Sequence, residues 1–316
     1  MEIVVNNMNQ AQESQNLEKP DWLKIKPPTT EQFILIKDLV RRKTLFTVCQ
    51  EAHCPNMAEC WSGGTATFMV MGDTCTRGCK FCAIKTAFPA PPLNPNEPRK
   101  LAEAVASMKL DYVVVTSVDR DDLKDQGSLH FAACIKALKE SNPNLLVEVL
   151  IPDFRGKDEL IMNVIQAGPD VIAHNIETVQ RLQKKVRDPR ANYEQSLHVL
   201  EFVKKTAPHI YTKSSVMLGF GEQDDEVIES MHDLRKIDVS VVTFGQYLRP
   251  SSWHVPVTEY VKPEKFDFFR IKGEEIGFAY VASGPFVRSS YKAGELFIKN
   301  VLNRAKIANQ SQNNKS

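Results

Sequence analysis

No stretch of this chain approaches the ~18 to 20 consecutive apolar residues of a membrane-spanning helix, so a bilayer-embedded protein is not expected. Net charge is equally scarce. With 40 basic and 39 acidic residues the formal charge is +1, which leaves no global field for a nucleic acid, so any charged partner must meet a local patch. The first twenty residues, MEIVVNNMNQAQESQNLEKP, contain no arginine, and no apolar stretch there ends in a small-residue cleavage site. Both absences argue against an organellar or secretory leader and point to a cytoplasmic location. That polar segment (1–20) and the tail IANQSQNNKS read as disordered ends. At 316 residues the chain is long enough for two domains or for one α/β barrel.

Cysteine is present and unevenly distributed. Six of the seven fall into two triplets, Cys49, Cys54 and Cys60 at CxxxxCxxxxxC spacing and Cys75, Cys79 and Cys82 at CxxxCxxC spacing. Thiolates are the usual ligands of four-iron cubanes, so two triplets suggest two [4Fe-4S] clusters, each with one iron open to another ligand. Structural zinc sites use paired CxxC arms, which neither triplet has, and disulfides need an oxidising compartment. Cys134 stands apart in SLHFAACIKALKE, where Phe131, Ile135 and Leu138 recur at helical spacing, and reads as a buried helix thiol.

Between the ends, EQFILIKDLVRRKTL places Phe33, Ile36, Leu39 and Val40 on one helical face. From Thr67, six β-rich runs (FMVMGD, YVVVTSV, LLVEVLIPDF, VIAHNIE, TKSSVMLGF and VVTFGQYL) alternate with helical patterns, among them TVQRLQKKV. This predicts βαβ crossovers and a parallel sheet, an incomplete (β/α)6 TIM-like barrel in preference to a doubly wound open sheet. The expected organisation is an N-terminal extension with the first triplet (21–65), the partial barrel (66–284) and a C-terminal segment with RSSY, a helix and the tail (285–316). Cys75 to Cys82 would occupy the loop after the first strand, at the face where barrel active sites lie.

CTRGCKFC on this βα pattern resembles the radical S-adenosylmethionine superfamily, with aromatic Phe81 just before the last cysteine. Read with CQEAHCPNMAEC, VTSVDRDDL, HNIETV, KSSVMLGFGE, GQYLRPS and SGPFVRSSY, the chain is similar to the lipoyl synthase family from about Trp22 to about Glu295. The resemblance implies that Cys75, Cys79 and Cys82 hold a cluster whose open iron binds S-adenosylmethionine, and that one electron releases a 5'-deoxyadenosyl radical. It implies a second cluster on Cys49, Cys54, Cys60 and Ser290, with Ser289 the less favoured serine, which supplies the sulfur inserted at C6 and C8 of a protein-bound octanoyl-lysine. An alkoxide is a hard ligand for a cluster otherwise held by soft thiolates, a weak corner where the cluster can be dismantled. Partners implied are octanoylated carrier domains (2-oxoacid dehydrogenase E2 subunits and the glycine cleavage H protein), a low-potential donor such as ferredoxin or flavodoxin, and an iron-sulfur carrier that rebuilds the second cluster.

The same resemblance makes Asn175 and Glu177 candidates for the ribose hydroxyls of S-adenosylmethionine, and Arg190 and Lys213 for its carboxylate. Each has a plainer alternative: loop capping for the first two, solvated charge for the others, and helix capping for Ser289 and Ser290. His53 reads as solvent-facing or as a neighbour of the first triplet. Phe88 stands where the family often has glycine, and RDPRANY departs from the family wording around Asp188, which leaves Arg187 and Arg190 both open as the residue facing the cofactor. Two other functions compete. A two-cluster electron carrier would use four cysteines per cluster. An RNA-modifying radical enzyme would carry a basic, aromatic nucleic-acid module, and none is evident in the sequence.

Overall fold

The structure is a computed structural model in which residues 18–23, 30–63 and 65–290 are described. Apart from 18–20, the tail expected before Pro20 lies outside the described residues, as do the helix and tail expected after Ser290.

The Thr30 hydroxyl accepts from Phe33 N and starts α1 (Glu31–Lys43), which ends at Thr44 in the left-handed region. Ile36 and Val40 are buried with Phe33 and Leu39 beside them, the face read from the sequence. β1 (Phe46–Thr47), the single turn α2 (Val48–Glu51) and α3 (Met57–Ser62) follow. Phe33 meets Trp61 with ring centroids 5.2 Å apart and ties α1 to α3.

From Thr67 strands and helices alternate. β2 (Thr67–Val70) precedes a small ribbon of β3 (Thr74–Cys75) and β4 (Lys85–Thr86). Next come α4 (Glu97–Ser107), β5 (Tyr112–Ser117), α5 (Ser128–Ser141), β6 (Leu146–Leu150), α6 (Asp158–Gln166) and β7 (Val171–Ala173). After the single turn α7 (Gln183–Val186) follow α8 (Tyr193–Thr206), β8 (Tyr211–Leu218), α9 (Asp224–Lys236), β9 (Val241–Gln246), α10 (Pro263–Ile276) and β10 (Tyr280–Ser283).

The main sheet runs β1-β2-β5-β6-β7-β8-β9-β10, with β1 antiparallel and every other neighbour parallel. This is an α/β fold with a mostly parallel sheet. Its strand order never reverses, as that of a doubly wound sheet must. Val113, Val115, Val147, Val149 and Ile172 point to one face and pack with helix residues such as Phe131, Ile135 and Ile161; Val242 and Phe244 do the same with Met231, Phe266 and Phe269. Because strand side chains alternate, the other face carries Tyr112, Val114, Leu146 and Val171, a separate small cluster, together with Glu148 and Lys213. No helix among the described residues is long and apolar enough to cross a membrane.

The sheet holds one parallel strand more than the six expected. β10 is only four residues long and depends on a tertiary contact, since a Cβ on Gly273 of α10 would fall 2.8 Å from Val281. The helix expected over TVQRLQKKV shrinks to a 3-10 turn, Gln180–Leu182, and α7. Pro189 disfavours helical backbone at Asp188, and Arg187 is already extended.

Candidate functional site

The second triplet sits at the carboxyl end of β2, as expected. Met71 and Gly72 take positive φ (69° and 89°) and turn the chain out of the strand, and β3 pairs with β4 to close a loop over residues 76–84. Inside it Cys82 N donates to Cys79 O, 3.1 Å. Burial pushes each of the three thiols up to about 12, and Coulomb repulsion joins Cys75 to Cys79, Cys79 to Cys82 and Cys82 to Cys75. Three backbone amides meanwhile point at sulfur: Arg77 N and Asp119 N at Cys75 Sγ (3.4 and 3.3 Å), and Asp188 N at Cys79 Sγ (3.4 Å). The loop therefore favours thiolates only when a cation draws them together, the chemistry of a three-cysteine metal or cluster site.

Charge holds the loop in place. The Arg77 side chain is 2% exposed and bridges Asp121 (Nε, 2.8 Å) and Asp153 (Nη1, 2.7 Å), with Asp119 at 3.3 Å, so the segments after β5 and β6 converge on one guanidinium. Thr76 Oγ1 donates to Asp119 O and accepts from Asp121 N. Gly78 N donates to Asp188 Oδ2, 2.9 Å. Against the upward effect of burial, Arg190 and these amides hold the Asp188 carboxyl down at about 2. Glu97 secures the approach, its Oε2 accepting from Met71 N (2.8 Å) and lying 2.7 Å from His130 Nε2. Cys134, beside that pair, is fully buried in α5 as predicted.

The candidate cofactor residues separate into groups. Glu177 follows β7 at φ 67°, its carboxyl pushed up by burial and its charge felt at Cys82. Asn175 Nδ2 donates to Glu177 Oε1 (3.2 Å), leaving Asn175 Oδ1 buried without a partner among the described residues. Phe81 packs against the half of the core that contains Ile176 and Val216. Arg187 is buried, bonded to Ser196 Oγ (2.8 Å) and Gln183 Oε1 (3.1 Å), and its charge reaches Cys79 and Glu177. Arg190 is instead locked to Asp188 and Thr76 O. Lys213 lies on the helix-free sheet face, its Nζ 2.8 Å from Glu148 Oε1, while Tyr112 donates to the other oxygen of Glu148. A cavity of about 280 Å³ opens beside Cys79, Cys82, Ile84, Trp253 and His254, and His254 Nε2 lies 3.0 Å from Cys82 O. A larger one, about 460 Å³ beside Glu222, Asp224 and Lys265, contains none of the predicted site residues.

The first triplet is built on α2 and α3. Cys49 is buried on α2, Cys54 N donates to Cys49 O (3.0 Å), and Cys60 N on α3 donates to Asn56 O (2.8 Å). His53 is exposed. Burial raises Cys54, and Arg288 pulls it back. Asn56 Nδ2 donates to Phe286 O at 2.6 Å, bringing the segment that bears half-buried Ser289 and Ser290 to this triplet. Sequence reasoning assigns no role to Arg77, Asp121, Asp153, Asn56 or Arg288. Their one visible signal was position, Arg77 and Asn56 each lying between two cysteines of a triplet.

Comparison with known proteins follows the same lines. A family profile for the Radical SAM superfamily matches residues 69–234, more than half of the chain. Over 301 residues the chain is 58% identical to a protein named lipoyl synthase from Halobacterium salinarum, covering 94% of this chain and 96% of the relative. It is 56% identical over 292 residues to a chloroplastic lipoyl synthase of Arabidopsis thaliana, covering 91% and 74%. Among solved structures, the FeFe-hydrogenase maturase HydG from Carboxydothermus hydrogenoformans superposes with a TM-score of 0.51 at 12% identity over 85% of this chain and 78% of that one, a likeness of fold.

Proposed function

This chain belongs to the lipoyl synthase family of the radical S-adenosylmethionine superfamily, and from that premise we propose how its two cysteine triplets divide the reaction. Lipoyl synthase activity, a radical-dependent sulfur transfer, goes with that membership. Cys75, Cys79 and Cys82 hold the [4Fe-4S] cluster that binds S-adenosylmethionine. The fit is supported by three mutually repelling thiols with amides aimed at two of them, and by the orphaned Asn175 Oδ1, an acceptor suited to a ribose hydroxyl. When bound, the cluster and S-adenosylmethionine supply the one-electron cleavage that yields a carbon radical able to take hydrogen from an unactivated alkyl carbon.

The chain's own part is to position and to enclose. Arg77 with Asp121 and Asp153 fixes the cysteine loop, and Asn175 and Glu177 orient the nucleoside. Arg187 is the better candidate of the two arginines for the carboxylate of S-adenosylmethionine, because its charge reaches Cys79 and Glu177 while Arg190 is engaged by Asp188. Lys213 is instead engaged by Glu148, a buried pair that leaves it unavailable to the carboxylate. The second [4Fe-4S] cluster, on Cys49, Cys54, Cys60 and Ser290, is a substrate: it gives up the sulfur that enters C6 and C8 of the octanoyl chain. The approach of Phe286 to Asn56 supports that ligand set.

We read the sheet as a partial barrel, its helix-free face curled around the substrate, with the functional segments 21–65, 66–284 and 285–316 of the sequence reading. Consecutive parallel strands with helices on one face support this. The substrate is the octanoyl-lysine of a lipoyl carrier domain, from a 2-oxoacid dehydrogenase E2 subunit or a glycine cleavage H protein. A ferredoxin- or flavodoxin-like donor and an iron-sulfur carrier complete the cycle. A cytoplasmic setting suits thiols that must stay reduced to hold iron. The observation that carries the proposal is the pairing of two separate cysteine triplets with the family match. It is tested by anaerobic reconstitution with iron and sulfide, then incubation with S-adenosylmethionine, a low-potential reductant and an octanoyl-lysine peptide. About eight irons per chain and a product heavier by two sulfurs are expected. A Cys75→Ala/Cys79→Ala/Cys82→Ala variant that still cleaves S-adenosylmethionine would overturn the assignment.

A further inference from the structure

We propose that Asn56 and Arg288 are positioning residues that hold the turn bearing Ser290 against the first cysteine triplet. The proposal rests on the assignment of the second cluster to Cys49, Cys54 and Cys60.

Asn56 occupies the N-cap position of α3, where an asparagine side chain ordinarily accepts a hydrogen bond from its own helix. It makes no such bond. Its amide reaches across 230 positions to Phe286 O at 2.6 Å. The backbone of the same residue serves the cysteines: Cys60 N donates to Asn56 O, and the Asn56 and Met57 amides favour the Cys54 thiolate. One residue thus contacts two of the three thiol-bearing positions and the C-terminal turn.

Arg288 completes the clasp. Its Nη1 donates to Val287 O (2.7 Å) and reaches Pro285 O (3.4 Å), so the side chain folds back over its own turn. That turn presses on β9 at Gly245, where a Cβ would fall 2.0 Å from Val287 O and 3.2 Å from Arg288 Nη1. The serine ligand can then let go of iron while the turn stays in place, because two contacts other than its own bond hold it.

The test uses the full chain, reconstituted anaerobically, as wild type and as Asn56→Ala, Arg288→Gln and Arg288→Lys. Wild type should hold about eight irons. In Asn56→Ala and Arg288→Gln the second cluster should lose iron to a chelator about tenfold faster, equivalent to about 1.4 kcal/mol, while the cluster on Cys75, Cys79 and Cys82 keeps its iron. Arg288→Lys, which keeps a donor for Val287 O, should restore much of the slow iron release. Asn56→Ala changes no charge, so it tests the clasp should Arg288→Gln fail to fold. In cluster-free protein it should speed amide exchange over 285–290. Wild-type iron release and exchange in Asn56→Ala would overturn the clasp, and wild-type iron release in Arg288→Gln would overturn the part given to Arg288. A wild type holding only about four irons would overturn the cluster assignment beneath both.

Discussion

Lys213→Met removes a buried cation and leaves Glu148 in place. Both side chains are 2% exposed, with Nζ and Oε1 2.8 Å apart, so the change strands a carboxylate that keeps only the Tyr112 hydroxyl from the pair of bonds described. Removing one partner of a buried pair costs about 3–5 kcal/mol. At about 2.1 cal/mol/K per residue, the unfolding entropy of 316 residues is roughly 0.66 kcal/mol/K, so Tm should fall by about 5–8 °C. Lys213→Met/Glu148→Gln should recover most of that loss, because no uncompensated charge remains. The assay is thermal unfolding of cluster-free protein, paired with S-adenosylmethionine binding to reconstituted protein, which should change little. A Tm loss under about 2 °C would refute the stability argument, and binding weakened by roughly tenfold at unchanged Tm would show that Lys213 reaches the cofactor itself.

Replacing Cys49, Cys54 and Cys60 together by Ala should leave 5'-deoxyadenosine formation intact and abolish sulfur transfer; lipoyl product at the normal yield would end the sulfur-donor assignment. Ser290→Ala should stop sulfur insertion while S-adenosylmethionine cleavage persists, and Ser290→Cys should assemble the cluster yet insert sulfur poorly, both read by product mass. If Ser290→Ala costs only about 1 kcal/mol of stability and leaves turnover untouched, the serine is a helix cap. His174 is buried between Ile151 O and Ser196 Oγ, each 2.9 Å away, and burial followed by the Arg187 charge lowers its pKa to about 4. Its folded pKa lies below the unfolded value, so its contribution is complete above about pH 6.5 and is lost as pH falls towards 4, roughly 3 kcal/mol in all. The stability difference between wild type and His174→Gln should therefore shrink across that window; a constant difference in urea unfolding would contradict this.

What could be read from the sequence was local. Cysteine spacing located both triplets, and the 3.6-residue periodicity found the buried face of α1 at Ile36 and Val40 and the helical thiol Cys134. Alternation of strand and helix gave the parallel sheet and put Cys75 at a strand end. Pairings between distant residues leave no periodic trace. Nothing in CTRGC announces that Arg77 will be shared by Asp121 and Asp153, and nothing in TKSSVML announces a Glu148 partner for Lys213. β10 escaped because four residues are too few to establish a period, and α7 fell short of a helix because Pro189 acts on the residue before it.

The clasp between Asn56 and Phe286 sets an order of assembly on the ribosome. Asp121, Asp153 and Asp188, which fix the loop of Cys75, Cys79 and Cys82, are all synthesised 98 or more residues before Phe286, counting 286 − 188. At about 5–20 residues per second that interval is roughly 5–20 s, during which the later-numbered triplet can already close while Cys49, Cys54 and Cys60 wait. In the proposed division of labour, the site completed first is the one that keeps its iron. The site completed last, from segments 230 positions apart, is the one proposed to hold the sulfur-donating cluster.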